Sequence, residues 1–400
     1  MAAQFTASEW RKINALLRQS GLEFGLPERR SDSIVIGTFN IRKLGAVAKR
    51  SAQSWRFLRD VIANFDLIAI QEIMDDLSGF EHLLELLGDE FGMVVSDITG
   101  ATPGRRGNAE RLGYIFNWKR VNRTALASDI TYDRSEIAHT LYTNRTAYGL
   151  AWDDHSRKFG GWERDAELRR AMGKRAKSKP ALVLPRFLTF IRQPHCVSFR
   201  IPGVDGAAPY EFLVVNAHLL YGTNKREREW EFMALIEWLA LRAKQPDKLY
   251  HSNLLLLGDC NLDFDSNIST MRDTVDAFIK SLNAKYLRSK KAAKANFPLL
   301  TAHPTQGILR TALRQQQTYD QIGLFTSDQR LPLSDDNKTA GSTAGRFNYG
   351  VFNIAELIAQ ALHADTIHSI EKSQRMSVYH KAEFDISDHM PAWIRLPCPE

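Results

Sequence analysis

Six short polar motifs close strand-like apolar runs along this 400-residue chain. They are GTFNIRKLG with Asn40, LIAIQEI with Glu72, VVNAHLL with Asn216 and His218, LLLLGDCNLD with Asp259 and Asn261, TYDQIGLF with Asp320, and ISDHMPAWI with Asp388 and His389. A hard divalent cation such as Mg²⁺ (or Mn²⁺) takes carboxylate and amide oxygens, keeps several waters and is shared with substrate phosphate. Glu72, Asp388, Asn40 and the Asp259/Asn261 pair supply that oxygen set without cysteine ligands. The two histidines, each beside a carboxylate able to fix its tautomer, then suit general acid, general base or charge-stabilising roles. Hydrolysis of a phosphoester uses all of these parts together.

Periodicity predicts the elements that must position them. SIVIGTFNI and FDLIAIQEI are nearly continuous apolar runs, which burial on both faces of a sheet requires. Between them, SWRFLRDVIANF has helical spacing at Trp55, Leu58, Val61 and Ile62, so a strand, helix, strand unit brings Asn40 and Glu72 to neighbouring strand ends. Further strands are expected at GMVVSDI, RLGYIFNW, FLTFIR, CVSFRI, EFLVVNAHL, NLLLLGDCNL, YDQIGLF and PAWIRL, and helices at FEHLLELLGDEF, from Lys225 to Lys244 and at AELIAQALH. Alternation puts Asn216 and His218 on one strand face and Val215 and Ala217 on the other; Asp259 and Asn261 likewise share a face, with Cys260 turned away. Adjacent Asp388 and His389 cannot share a face in a regular strand, so they belong to a loop, consistent with Pro391 just beyond. At the amino terminus, Trp10, Ile13, Leu16 and Leu17 mark an amphipathic helix with Ser8 as cap and Gly21 as stop.

The order Asn, Glu, Asn-x-His, Gly-Asp-x-Asn, Tyr-Asp-x-Ile, Ser-Asp-His resembles the endonuclease/exonuclease/phosphatase superfamily, to which pancreatic deoxyribonuclease and the abasic-site endonucleases belong. The resemblance spans Ile34 to Leu396. It implies an α/β, four-layered sandwich of two packed mixed β-sheets flanked by helices. Residues 1–30 would form a helical extension and 31–400 the catalytic domain, with insertions near 128–180, 282–317 and 331–379. It also implies roles: Glu72, Asp388 and Asn40 at the metal, Asp259 binding metal or positioning the attacking water, and Asn261 completing the shell. Asp320 would orient His389, and Glu110, in GNAERLGYIFNW, would orient His218. Arg111, Arg192 in FLTFIRQPHCVSF and Asn216 would approach phosphate.

Composition narrows the partners. The chain carries net charge +7, and 155–180 alone holds nine Lys or Arg against three acids. Arg169, Arg170, Lys174 and Arg175 are candidate nucleic-acid contacts in this stretch, and Phe159, Trp162 and Tyr286 candidate stacking platforms. A solvated or mobile loop, helped by Gly160-Gly161, is the competing expectation. A second run adds Lys285, Arg288, Lys290, Lys291 and Lys294. Together these favour a metal-dependent nuclease acting on DNA. The alternatives are a phosphomonoesterase or a phospholipid or inositol phosphate hydrolase of the same fold, and an inactive binding scaffold. Against the first stands the lack of an apolar membrane-docking stretch and of a WTDR segment; against the second, the occupancy of every principal motif position. Three cysteines without CxxC spacing argue against a disulfide framework. With no stretch of signal-peptide or membrane-spanning type, the expected location is cytoplasmic.

Overall fold

A computed structural model describes residues 4–99, 109–222, 224–244, 251, 253–263, 268–285, 294–304, 306–333 and 348–400. Two parallel strand pairs organise it. β1 (Ser33–Leu44) and β2 (Leu67–Met74) are joined by α2 (Ala52–Ile62), and β7 (Tyr210–His218) and β8 (Asn253–Asp259) by α6 (Lys225–Ala243). Both are β-α-β units, in which the crossover helix returns the chain so that the two strands end on the same side. Asn40 lies opposite Gln71 in the first pair, and His218 opposite Asp259 in the second.

Each parallel pair is extended by antiparallel strands into a six-stranded sheet. β3 (Phe91–Val95), β4 (Glu110–Asn117), β11 (Tyr349–Val351) and β12 (Ala392–Pro397) complete the first, in the order β11-β12-β1-β2-β4-β3. The second runs β5-β6-β7-β8-β10-β9, with β5 (Asn122–Asp129), β6 (His195–Ile201), β9 (Ala295–Asn296) and β10 (Asp320–Phe325). The sheets pack face to face with helices outside. Val215, Ala217, Leu254 and Leu256 bury against Phe232, Leu235, Ile236 and Leu239 of α6, in a core shared with α7 (Ile268–Lys285). The larger core joins the first sheet to α2, α3 (Ser78–Leu87), α8 (Ile354–His363) and α9 (Lys372–Asp385). The α/β four-layered sandwich is as the motifs imply.

The amino-terminal helix α1 spans Ala7–Ser20, and its cap is Thr6 rather than Ser8: the Thr6 side chain accepts from Glu9 N while Glu9 reaches back to Thr6 N. Its buried residues Trp10, Ile13 and Leu17 join the main core, each burial contributing about 2 kcal/mol. FLTFIR is not a strand but an irregular segment, because Phe187 and Phe190 turn onto Tyr132. The edge strand β5 has a mostly exposed, polar sequence that offers no apolar run to read. Residues of the basic stretch belong to a helical arm, α4 (Arg134–Thr143) and α5 (Arg145–Ala171), and α5 runs straight through Gly160-Gly161. Phe159 and Trp162 pack on each other 5.5 Å apart, Lys179 covers Phe159, and Trp162 Nε1 donates to Lys177 O at 2.8 Å. These rings staple the following chain to the helix instead of standing free for bases. Tyr286, Arg288, Lys290 and Lys291 lie outside the described residues.

Polar bonds stitch the sheets together. Asn216 accepts from Gln71 Nε2 at 2.6 Å and donates to Ile70 O at 3.0 Å and Gly113 O at 2.9 Å. Its expected place at substrate phosphate is therefore corrected: its amide is fully buried and its donors and acceptor are spent between the layers. Tyr114 likewise donates to His195 O and Val214 O across the gap. Replacing Asn216 with Ala removes its bonds to two buried carbonyls and to Gln71 Nε2, which keeps only Thr38. We expect a loss of about 2–4 kcal/mol in urea unfolding, with the m-value unchanged.

Candidate active site

Asp259 ends β8, where Gly258 has φ +150° and a Cβ would fall 1.9 Å from Ala217 O. Only glycine allows β8 that close to β7 at this point. Asp259 Oδ2 accepts from Asn40 Nδ2 of the opposite sheet at 3.0 Å, and Oδ1 from Asn261 N at 2.9 Å. Two imidazoles converge on the same oxygen: His218 Nε2 is 3.6 Å and His389 Nε2 3.5 Å from Asp259 Oδ2.

Each imidazole is held from behind. His218 Nδ1 lies 3.1 Å from Glu110 Oε2, and His389 Nδ1 2.8 Å from Asp320 Oδ2. These contacts fix which nitrogen faces Asp259. Burial pushes the Asp259 carboxyl up, but His389, His218, and the bonds from Asn261 and Asn40 outweigh it and hold the group below its ordinary range. Burial pulls His389 down, and the carboxylates of Asp320 and Asp259 overcome this to hold the imidazole well above its ordinary value. Glu110 is lowered: its burial is offset by His218 and Arg192.

Arg192 does not present an open fork to phosphate. Its Nε lies 2.6 Å from Glu110 Oε2, and Nη1 donates to His218 O at 3.3 Å and Leu219 O at 3.1 Å. The buried guanidinium is a brace for Glu110 and the end of β7. Arg111 points elsewhere: its Nη1 donates to Asp97 Oδ1 at 3.2 Å and approaches Ser96 O at 3.5 Å, beyond the end of β3. Strand alternation separates it from Glu110. The expected phosphate roles of Arg192 and Arg111 are thus replaced by structural contacts.

A second group surrounds Asn40. Glu72 sits at a bulge with φ +58°, in the left-handed region. The bulge turns Glu72 inward beside Gln71, against simple alternation. Its Oε1 accepts from Asn40 Nδ2 at 3.3 Å, and Oε2 from Lys43 N at 3.0 Å. Ser387 Oγ donates to Asn40 O at 2.6 Å and accepts from Arg42 N at 3.1 Å and His389 N at 3.2 Å, latching the Asp388-His389 loop to β1. Asn40 Oδ1 and Asp388 Oδ1 are buried without a hydrogen-bond donor. An unpartnered amide oxygen on Asn40, whose Nδ2 bonds the Glu72 carboxylate, and an unpartnered carboxylate oxygen on Asp388 are the donor chemistry a hard divalent cation requires, so these residue types fit one. Asp259, Asp320 and His389 also gather donor atoms within 4.8 Å of one another. Within that trio, His389 Nδ1 is already engaged by Asp320 Oδ2 at 2.8 Å.

Three participants escaped the sequence reading. Ser387 lies inside a quoted motif, yet its role appears only through the loop geometry. Arg228 of α6 donates to Asn261 O, holding a residue with φ +52° whose own amide donates to Leu219 O at 3.0 Å. Glu231, also on α6, accepts from Ile191 N at 2.6 Å and from Leu220 N, gripping the chain on either side of Arg192 and His218. Nothing in KREREWEF distinguishes it from a solvated helix face.

No family model matches the sequence, and no curated protein matches it. Among solved structures, the chain is similar to an endonuclease/exonuclease/phosphatase family protein from Bacteroides thetaiotaomicron, at 12% identity and TM-score 0.46, covering 92% of this chain and 98% of that one. It is similar to truncated Caenorhabditis elegans TDP2, at 9% identity and TM-score 0.43, covering 91% and 97%. The human Nocturnin catalytic domain compares at 11% identity and TM-score 0.42, covering 91% and 93%.

Burial lifts the Glu231 carboxyl to about 7, against the bonds from Ile191 N and Leu220 N that lower it. Below pH about 4.5 the group is protonated in folded and unfolded chains alike. As pH rises, the unfolded chain releases its proton first, so the protonated buried group's contribution is lost progressively up to and through the folded value. The slope integrates to about 3 kcal/mol at most. Glu231→Gln removes it while depriving one backbone N–H of its acceptor. Urea melts from pH 4.5 to 8 should therefore show the variant weaker than the wild type at the acid end, with that deficit shrinking as pH rises; a pH-independent difference contradicts the assignment.

Proposed function

We propose that this chain is a divalent-metal-dependent phosphodiesterase of the endonuclease/exonuclease/phosphatase superfamily, and that it cuts DNA as an endonuclease. The observation that carries the reading is one buried carboxylate oxygen, Asp259 Oδ2, facing the Nε2 atoms of two imidazoles that are each backed by a further carboxylate. An ionised Asp259 can orient a water and draw its proton during in-line attack on phosphorus. The His389 imidazolium, sustained by Asp320, places positive charge where the phosphoryl oxygens gain negative charge, and His218 offers a proton toward the departing oxygen. Glu72, Asn40 and Asp388 would hold Mg²⁺ or Mn²⁺, which supplies charge neutralisation at phosphoryl and leaving oxygens when bound.

Charge on the arm supports a nucleic-acid substrate. Arg170, Lys174 and Arg175 are exposed, and no ion pair engages them among the described residues. Arg169 is partly spent on Asp165, 3.0 Å away. The chain leaving this helix runs by Glu227, which accepts from Leu184 N, to Arg192 beside His218, so the arm is tethered to the site by about twenty residues of backbone. A cytoplasmic setting agrees with three buried, unbridged cysteines.

Supercoiled plasmid, single-stranded DNA, RNA, inositol phosphates and phospholipid, each with Mg²⁺, Mn²⁺ or EDTA, form the test panel. Plasmid nicking should depend on metal and fall by about 10²–10⁴ in His389→Ala, with Glu72→Gln also inactive and both variants folded. Cleavage of only the small or lipid phosphoesters would refute the DNA assignment while sparing the site. For Arg170→Ala/Lys174→Ala, the slope of log binding constant against log salt on duplex DNA should be shallower by about 2. An unaltered slope removes the arm from the substrate path.

A further inference from the structure

The face of α1 that flanks its apolar stripe meets α2 across a cavity of about 340 Å³. Trp10 packs against Phe57 with ring centroids 5.8 Å apart, and this contact sets the two helices side by side. Arg11, Asn14 and Arg18, at three- and four-residue spacing, then line one wall; Gln53, Arg56 and Arg59 line the other. Among the described residues Asp60 is the only carboxylate in the lining, and it is 2.6 Å from Arg59 Nε. Arg11, Arg18 and Arg56 have no ion pair among the described residues. Asn14 Oδ1 is buried without a donor, so the wall is polar through its depth.

Arginines facing one another across a shared volume repel, and the contact that joins the helices, Trp10 on Phe57, lies beside the cavity and does not use them. A surface that merely keeps the chain soluble would intersperse acids, as the cavity between α6 and α7 does with Lys225, Glu229 and Asp263. We propose that the α1–α2 cavity is a binding site for a compact polyphosphate anion, either free polyphosphate or the phosphate chain of a nucleotide. The planar fork of Arg matches phosphate oxygens in pairs, and charge on two facing walls suits a short anion inside the cavity better than a strand passing over it. The volume lies within the range of small-molecule sites. None of these residues belongs to the Asp259 site, so the proposal stands apart from the phosphodiesterase reading.

The test is calorimetric titration of the full chain with tripolyphosphate and, separately, ATP, in EDTA at fixed ionic strength. Tripolyphosphate should bind one site per chain. Arg11→Ala/Arg56→Ala should weaken Kd by at least about tenfold. Arg11→Lys/Arg56→Lys, which keeps charge but loses the fork, should fall between. Equal affinities for the two anions would mean that the phosphate chain alone is read, and tighter ATP that a nucleoside is read too. Thermal melts check that each variant is folded; the replaced side chains are exposed, and the lysine pair serves should the alanine pair unfold. The proposal is overturned if neither anion binds, if Kd is the same in the Arg11/Arg56 variants, or if only a single-stranded oligonucleotide senses them.

Discussion

Asp259 is a buried carboxylate whose charge the protein must compensate, and the arrangement of the surrounding chain follows from how it does so. Taking a carboxylate out of water costs several kcal/mol unless opposite charge and hydrogen bonds replace the solvent. Here the replacements come from both sheets: Asn40 from β1, His218 from β7, Asn261 beyond β8 and His389 from the loop before β12. No one of these elements could satisfy the group alone. The two sheets must therefore hold a narrow separation at this end, and the bonds of Asn216, Gln71 and Tyr114 across the gap hold it.

Strain accompanies this convergence. Lys43, Glu72 and Asn261 all adopt left-handed backbone, which costs roughly 1 kcal/mol or more per residue for a side chain with a Cβ. Each strained residue is pinned by a bond within the same cluster: Lys43 N donates to Glu72, and Arg228 holds Asn261 O. The apolar layers supply the stability against which such strain is carried. Buried Trp55, Phe57 and Leu58 behind the first sheet, and Phe232, Leu235 and Leu239 behind the second, fix the strands whose ends are then free to bend.

Behind the Asp259 cluster lies a layer of side chains whose polar atoms are spent on holding the cluster's residues and the chain around them. Arg192 and Glu231 illustrate it. The first ties Glu110 to the carbonyls at the end of β7, and the second grips the chain at Ile191 and Leu220 on either side. Both are ionisable side chains spent on internal contacts, so a basic residue close to the Asp259 cluster need not be open to a ligand. Charge available to ligands lies farther out, on α5 and between α1 and α2.

The sequence by itself determined the two β-α-β units, the strand ends that carry Asn40, Glu72, His218 and Asp259, and the loop character of Asp388-His389. Those features arise from local rules: apolar periodicity, two-residue alternation and the backbone limits around proline. Tertiary structure alone decided the fates of Asn216, Arg111 and Arg192, because whether a polar side chain meets substrate or a buried carbonyl depends on what the opposite sheet presents. It also decided the inward turn of Glu72, which a bulge imposes against alternation, and the role of Glu231, whose partners lie 40 and 11 residues away in the chain. Likewise, the helical course of α5 through Gly160-Gly161 rests on staples from Lys177 and Lys179 that no helical window contains.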